Sequence, residues 1–331
     1  MHLPDHYLDP MTAAATALLS GGAVAYALVR FRSEAATKAI PVAATSAVIF
    51  AAQMFNFPVA SGTSGHLVGG ALAGMLLGPW AGLIAMASVL VVQAVVFGDG
   101  GILALGANVL NMGVIGVAIG VGADRLVVGR ASQAADSKVR LGKPDLLRGL
   151  AAAIAGWFGV VCASLACALE MAVSGIAAAA EVVPAMLGIH AFIGVGEAAT
   201  TALVVVLVGN VVASATAVTL AVDEHRGRKA GRIVMDRFGR VGLIIAATVA
   251  IALAPLASSL PDGLERVAEQ VIAREVDATP IPAIFPDYTI SGIASATATT
   301  ALAGLLGVAL VYALAGMACF ASRRLRLLLS N

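Results

Sequence analysis

The chain is a nearly unbroken series of apolar segments, and this feature decides what it can fold into. Most of the segments are about 20 residues long, the length that an α-helix needs to cross the hydrocarbon core of a bilayer. Only 12% of the 331 residues are charged, whereas soluble domains carry about 25%. A bilayer core offers no water to backbone polar groups, so segments of this length are expected to be helical. We therefore predict an all-α polytopic membrane protein.

The segments predict nine spans, and the basic residues predict their orientation. The spans are 11–31, 39–56, 63–77, 79–98, 105–128, 148–178, 184–220, 240–259 and 292–321. The third is short for a full crossing, so we expect it to be tilted, broken or shielded by its neighbours. With the N-terminus outside, every Lys and Arg except Arg266 and Arg274 falls on one face. Because basic loops stay in the cytoplasm, this distribution predicts that the first ten residues face outward.

Residues 1–10 form a polar, acidic strip that contains no Lys or Arg. A secretory signal would begin with basic residues, and the first base here is Arg30, so we expect the N-terminus to be retained. The terminal amine of Met1 would then lie beside the main-chain nitrogen and the imidazole of His2. These three nitrogens can close two fused chelate rings on one metal ion, in one plane, and leave a fourth position open.

Four of the five histidines are predicted to lie on the outer face together with acidic residues. His2 and His6 belong to the N-terminal strip, whereas His66 and His190 lie at the outer ends of the third and seventh spans. A hydrogen-bonded structural role is the commoner one for His6 and His190. For His2 and His66, taken with the free amine, a metal site is favoured. The acidic residues predicted on this face are Asp5, Asp9, Asp99 and Glu181.

Buried polar side chains and a row of small residues are further candidates. Asn108 and Asn111 need partners in an apolar span, so they can support metal ligands or anchor a loop. Glu197 lies two turns from His190 on one helical face, and acids at membrane depth, here Glu170 and Glu197, are functional candidates. A structural hydrogen bond is an equal alternative for both acids. Small residues occur at every fourth position of the first span and can admit a partner helix. Chance explains such a row equally well. The residues are Ala13, Ala17, Gly21 and Ala25.

The distribution of charge divides the chain into two membrane units. We predict a metal-binding domain over 1–221, a charged cytoplasmic linker over 222–239, and a module over 240–331 in which two spans flank an outer loop, 260–291. No loop with the nucleotide-binding pattern occurs, since Gly142-Lys143-Pro144 does not fit it. Neither a nucleophile–base constellation nor a nucleic-acid-binding stretch is present. We therefore predict a non-enzyme with no nucleic-acid partner.

Several ordered blocks of residues 1–220 resemble the CbiM/NikM family. These are the substrate-binding (S) membrane components of energy-coupling-factor (ECF) cobalt and nickel transporters. The segment from Pro261 is similar to the PDGLE, or NikN-like, module that accompanies this family as a fused part or a separate chain. The blocks that carry the resemblance are 1–5, 62–66, 77–80, 97–101, 105–112 and 190–197.

The resemblance implies a seven-helix bundle with a C-terminal two-helix hairpin in the inner cell membrane. It implies capture of Ni(II) or Co(II) as the transported ligand, with no other cofactor, by the amine of Met1, the main-chain nitrogen and imidazole of His2, and His66. The partners that it implies are a membrane coupling (T) component, which would contact the small residues of the first helix, and two cytoplasmic ABC ATPases. His6 departs from the glycine that the family usually has there; it could alter the turn or add a fifth nitrogen.

Two other classes of function remain as alternatives. A proton-driven secondary permease would need acids in relay through several spans. A membrane metalloenzyme would need a metal-bound water open to substrate, and the N-terminal chelate would occupy nearly all the positions on the ion. Four nitrogens in a plane suit Ni(II) or Cu(II), and binding through a deprotonated main-chain nitrogen should weaken as pH falls. The sequence does not choose between nickel and cobalt.

Overall fold

The computed structural model describes residues 1–59, 62–134, 146–221, 227–272 and 281–328, and most of them are helical. The helices are α1 Pro10–Phe31, α2 Ala35–Gln53, α3 Gly70–Leu77, α4 Pro79–Val92, α5 Leu105–Asn108, α6 Gly116–Ala134, α7 Leu146–Val173, α8 Ala179–Ala221, α9 Gly227–Thr248, α10 Gly263–Val271 and α11 Ala296–Leu328. Wider π-helical turns extend α4 over Gln93–Phe97, join α5 to α6 over Val109–Ile115, and extend α9 over Val249–Leu253. Short 3₁₀ turns lie at Ala254–Leu256 and Pro286–Tyr288. Two antiparallel two-residue strands, β1 Phe57–Pro58 and β2 Ser64–Gly65, pair Phe57 with Gly65.

The all-α polytopic prediction is confirmed. Within the described residues, eight helical segments are long and apolar enough to cross a membrane. Local signals set where they begin: the Asp9 carboxylate accepts hydrogen bonds from the backbone N–H groups of Met11 and Thr12, and Pro10 occupies the first position of α1, where no N–H is needed. The eight segments are Pro10–Phe31, Ala35–Gln53, Pro79–Phe97, Leu105–Val127, Leu146–Val173, Ala179–Gly209, Phe238–Leu256 and Ala296–Leu325.

The predicted third span differs from the others. Residues 66–69 are not helical, and helix α3 has only eight residues, almost all of them buried. Non-helical backbone at membrane depth is tolerated where protein shields it from lipid. Here Gly70 packs so closely on the π-helical turn that an added Cβ would lie 2.1 Å from the Met112 carbonyl oxygen.

The short helix still connects the two ends of the bundle. Asp99, which follows α4, lies against His2 at the start of the chain, 3.0 Å from its Nδ1. At the opposite end of α4, the guanidinium of Arg30 lies over the Trp80 ring, 5.8 Å from the ring centroid. Arg30 is in the last turn of α1. The segment that contains α3 therefore runs from the His2 end to the Arg30 end. Nine crossings and an outward-facing N-terminus stay predictions.

The C-terminal hairpin packs on the first two helices. Helices α9 and α11 contact α2, and Gly307 of α11 lies so close to Phe50 that an added Cβ would be 2.1 Å from its ring. The predicted linker 222–239 is partly helical, since α9 begins at Gly227; residues 222–226, and 273–280 of the predicted outer loop, lie outside the described residues. Charge alone does not distinguish a helical extension from a loop.

The N-terminal strip lies inside the bundle, with Met1, His2, Leu3 and Asp5 buried. The Leu3 N–H donates to Asn108 Oδ1 at 2.8 Å, and Asn108 Nδ2 donates to the Leu3 carbonyl at 3.1 Å. That carbonyl also accepts from the Gly101 N–H at 2.8 Å. A side-chain amide thus satisfies both polar groups of one backbone unit, as a neighbouring strand would.

The glycine-rich loop 98–101 allows the strip to approach. A Cβ at Gly101 would lie 2.1 Å from Asp5 Oδ1, and Gly100, with φ +90°, would place a Cβ 2.9 Å from Asn108 Nδ2. The Asp5 carboxylate accepts from the Leu103 N–H at 2.7 Å. Asn108 and Asp5 therefore anchor the strip to the loop and to the helix that follows it.

We predict that Asn108→Ala loosens the strip. The substitution removes two hydrogen bonds and leaves a buried N–H without its acceptor, a loss of about 1–3 kcal/mol. Hydrogen–deuterium exchange of residues 1–9 should then rise about tenfold or more. Asn111→Ala is the matched control, because Asn111 donates instead to Glu170 Oε2 at 2.7 Å. Equal exchange in the two variants would contradict the anchoring role of Asn108.

The orientation can be tested with single cysteines at the two ends of the bundle. Gln270 is exposed near the end of α10, the helix whose start lies beside Met1. Ser33 is exposed in the turn that follows α1. Intact cells expressing Gln270→Cys should react with a membrane-impermeant maleimide, and cells expressing Ser33→Cys should react only after lysis. The unsubstituted chain gives the background from the native cysteines. The reverse pattern would show that the N-terminus faces the cytoplasm.

Candidate metal site

The structure brings together the three residues that were predicted as ligands. The amine nitrogen of Met1 lies 3.1 Å from His66 Nε2, although 65 positions separate them in sequence. The rings of His2 and His66 stack, with centroids 5.1 Å apart and planes 14° from parallel. Both side chains are buried. The result is a compact group of nitrogen atoms that solvent barely reaches.

A backbone carbonyl fixes the orientation of the His66 imidazole. His66 Nδ1 lies 2.9 Å from the Leu67 carbonyl oxygen; because a carbonyl only accepts, Nδ1 carries the proton and Nε2 presents its lone pair to the amine. The imidazole is buried, and the ammonium of Met1 lies beside it. Both effects favour the neutral imidazole, which is the form that binds metals.

Glu197 holds the loop that carries His66. Its two carboxylate oxygens accept from the backbone N–H groups of Val68 at 2.6 Å and Gly69 at 2.9 Å. Gln53 Nε2 donates to the Val68 carbonyl at 2.7 Å. The buried Glu197 carboxylate thus provides acceptors for backbone N–H groups of the irregular segment before α3. These contacts are structural hydrogen bonds, one of the two roles that the sequence left open for Glu197.

His2 faces a second carboxylate. Its Nδ1 lies 3.0 Å from Asp99 Oδ1, and its Nε2 is buried with no hydrogen-bond partner within the described part of the chain. Asp99 Oδ2 in turn accepts from the Tyr288 hydroxyl at 2.6 Å. Burial by itself would raise the pKa of Asp99, but the charge of the His2 imidazole and its hydrogen bond outweigh burial and lower it.

Asp262 is part of this cluster, and sequence reasoning missed it. Its Oδ2 lies 2.5 Å from the Met1 amine and 3.8 Å from His66 Nε2. Burial alone would raise the pKa of Asp262, yet the charge of the Met1 ammonium holds that pKa well below its usual value. The only local signal was a capping box with Glu265, which marks the start of a helix and says nothing about distant partners.

Side chains alone do not account for a metal site here. Within the described ranges, no group of three or more His, Cys, Asp or Glu side chains is arranged to hold a metal ion. Beside the Met1 amine lies a cavity of about 10 Å³, close to the space that one water molecule occupies. Its lining residues are Met1, Gly65, His66, Val68, Ile193, Asp262 and Gly263.

The remaining candidate residues surround the cluster without joining it. His6 is exposed and has φ +72°, a conformation that favours glycine. Asn111 contacts Glu170, and His190 Nδ1 lies 2.8 Å from the Met186 carbonyl. His190 Nε2 has no hydrogen-bond partner in the ranges that the structure describes. These contacts give His190 and Asn111 structural partners away from the amine.

The small residues of α1 divide between two environments. Gly106 of α5 lies so close to Ala17 that an added Cβ would be 2.4 Å from the Ala17 Cα. Ala13 is half-buried, whereas Ala17, Gly21 and Ala25 are exposed. The row therefore contacts α5 through the backbone at Ala17, and most of its side chains face outward.

The sequence matches two family models in succession. The CbiM model, described as the cobalt uptake substrate-specific transmembrane region, matches residues 2–215. The PDGLE domain matches residues 236–324. Together the two models cover the predicted metal-binding domain and the predicted C-terminal module.

One curated relative is similar along nearly the whole chain, and another is similar along about a third of it. A putative fused nickel transport protein NikMN of Archaeoglobus fulgidus is 36% identical over 320 residues, which cover 95% of this chain and 96% of the relative. The cobalt transport protein CbiM of Salmonella typhimurium is 36% identical over 123 residues, 36% of this chain and 50% of the relative.

Solved structures support the same relationship. A crystal structure of a transition metal transporter is 30% identical, with a TM-score of 0.54, and the match covers 70% of this chain and 99% of that one. A truncated transition metal transporter is 33% identical, with a TM-score of 0.52 over 62% of this chain and 96% of that one. The chain belongs to the CbiM family of cobalt and nickel transport proteins and carries a C-terminal PDGLE domain.

Proposed function

We propose that this protein is the substrate-capture component of an ATP-driven, ECF-type importer and binds Ni(II) or Co(II) at the outer face of the cell membrane. The observation that carries this proposal is the buried contact between the Met1 amine and His66, with the His2 ring stacked on His66. The relatives named for nickel and cobalt transport support the choice of ion.

The spacing of the donors suits one metal ion. Nitrogen ligands bind divalent transition metals at about 2.0–2.1 Å, so two neighbouring ligands of a square plane lie about 2.9 Å apart. The amine and His66 Nε2 are 3.1 Å apart. An ion would replace the proton that they share. The main-chain nitrogen of His2 and its imidazole Nδ1, which would have to leave Asp99, would complete a plane of four nitrogens, a geometry that suits Ni(II).

Separate chains would supply the energy for transport. Because the sequence contains no nucleotide-binding loop, we assign ATP hydrolysis to two cytoplasmic ABC ATPases that act through a membrane coupling component. Helix α1 is a suitable contact for that component, since its small residues Gly21 and Ala25 are exposed between the large apolar side chains of Leu18 and Tyr26.

The contacts of the buried acids and the size of the cavity weigh against the two alternatives. Glu197 commits both carboxylate oxygens to the loop after His66, and Glu170 accepts from Asn111. Acids that hold other groups in place are poor members of a proton relay. A cavity of about 10 Å³ beside the amine leaves no room for a substrate molecule next to a metal ion, as a metalloenzyme would require.

We predict that the purified chain binds one Ni(II) or Co(II) ion and that one extra residue before Met1 abolishes this binding. The extension converts the amine into a peptide nitrogen and moves the new amine out of the chelate. His66→Ala should have the same effect, while His6→Ala, at an exposed position of the same strip, should leave binding unchanged. Metal analysis after gel filtration measures the stoichiometry. Full binding by the extended chain would refute the terminal-amine site.

We also predict that uptake depends on the partner ATPases. Cells that produce this chain with its coupling component and ATPases should accumulate radioactive nickel or cobalt, and cells that lack the ATPases should remain at the background of an empty vector. His66→Ala should give the same background in the complete system. Accumulation without the ATPases, lost when the proton gradient is dissipated, would instead identify a secondary permease.

A further inference from the structure

The C-terminal module contacts the donor group directly through Asp262. The two oxygens of this carboxylate have different tasks: Oδ1 accepts from the Glu265 N–H at 2.8 Å and caps α10, whereas Oδ2 lies 2.5 Å from the Met1 amine. The residue belongs to the PDGLE domain, and 261 positions separate it from Met1. An ion pair therefore joins the first residue of the chain to the PDGLE domain.

The same segment also holds the loop that carries His66. Ser64 donates its N–H to the Pro261 carbonyl at 2.8 Å and its hydroxyl to the Leu260 carbonyl at 2.7 Å. Farther along, the Ser258 N–H donates to the Asn56 carbonyl at 2.8 Å. The segment before Asp262 and the loop before His66 therefore lie side by side as hydrogen-bonded neighbours.

A second contact of the module reaches His2 through Asp99. The Tyr288 hydroxyl donates to Asp99 Oδ2 at 2.6 Å, and Asp99 Oδ1 lies 3.0 Å from His2 Nδ1. The Tyr288 ring stacks on Phe97, with centroids 4.6 Å apart, and the Phe285 N–H donates to the Val96 carbonyl at 2.8 Å. The module thus contacts the donor group from two sides.

We propose that the PDGLE module completes the metal site, with Asp262 as the positioning residue that holds the N-terminal amine in place. This inference rests on the proposed function. A chain terminus is mobile unless it is tied down, and a planar chelate requires the amine in one orientation. Groups that orient metal ligands commonly change affinity by about 10–100-fold, so this contact matters although Asp262 does not bind the ion.

The distances support positioning rather than coordination by Asp262. Neighbouring ligands of one square-planar ion lie about 2.9 Å apart, given metal–nitrogen bonds of about 2.0–2.1 Å. Asp262 Oδ2 is closer than this to the amine, at 2.5 Å, and farther than this from His66 Nε2, at 3.8 Å. Its geometry is that of a hydrogen-bond acceptor for the amine.

Asp262→Asn in the full chain separates this role from helix capping. Asparagine caps helices as well as aspartate does, so its side-chain carbonyl can keep the hydrogen bond from the Glu265 N–H. Its NH₂ group then faces the Met1 amine, and the amine loses its acceptor. We expect Ni(II) affinity, measured by calorimetry, to fall about 10–100-fold. One ion per chain should still bind at saturation, and the absorption bands of bound Ni(II) should be unchanged. Asp262→Ser, which can also cap α10 but is too short to reach the amine, should give a loss of the same size.

The matched control is Glu265→Gln, which changes the other half of the same capping box. Gln is accepted at this position, and its affinity should stay within about twofold of the unsubstituted chain. Unchanged or tighter binding by Asp262→Asn would overturn the inference, and altered absorption bands would make Asp262 a ligand instead. If Asp262→Asn fails to fold, Asp262→Ser decides, with unchanged affinity counting against the inference. Failure of the unsubstituted chain to bind Ni(II) would refute the proposed function itself.

Discussion

The rest of the structure depends on the burial of a chain terminus. An ammonium group removed from water is costly unless it is paired and hydrogen-bonded. Here the Met1 amine is paired with Asp262 and faces the lone pair of His66. To reach them, the first residues enter the bundle, and a glycine loop and an asparagine give their backbone the partners that water would have provided.

The sequence predicts the spans and half of the site because both depend on local signals. Apolar runs of membrane length mark the long helices, and an amine next to His2 marks a chelate wherever the chain folds. The length of α3 was less predictable. Residues 66–69 have a composition that a membrane helix could have, but they are not helical, because Glu197 and neighbouring glycine backbones shield them. Burial inside protein relaxes the requirement for helix that the bilayer imposes.

The parts that sequence reasoning missed depend on contacts between distant segments. Asp262 carries only a helix-start signal, and its partner lies at the other end of the chain. Asn108 and Asn111 were predicted together, yet they have different partners, Leu3 and Glu170. They lie at the start of a π-helical turn, which changes the angular spacing of side chains, and such turns are common at functional sites. Periodicity based on a regular helix does not anticipate that separation.

Fusion of the two units in one polypeptide has a consequence for the contact between Asp262 and the amine. In a single chain this contact forms within the molecule, at an effective concentration that depends on the connecting segments and not on abundance; for short flexible tethers it reaches about millimolar. Each copy of the protein therefore carries its own Asp262, in a fixed ratio of one to one. The contact is present however sparsely the protein populates the membrane.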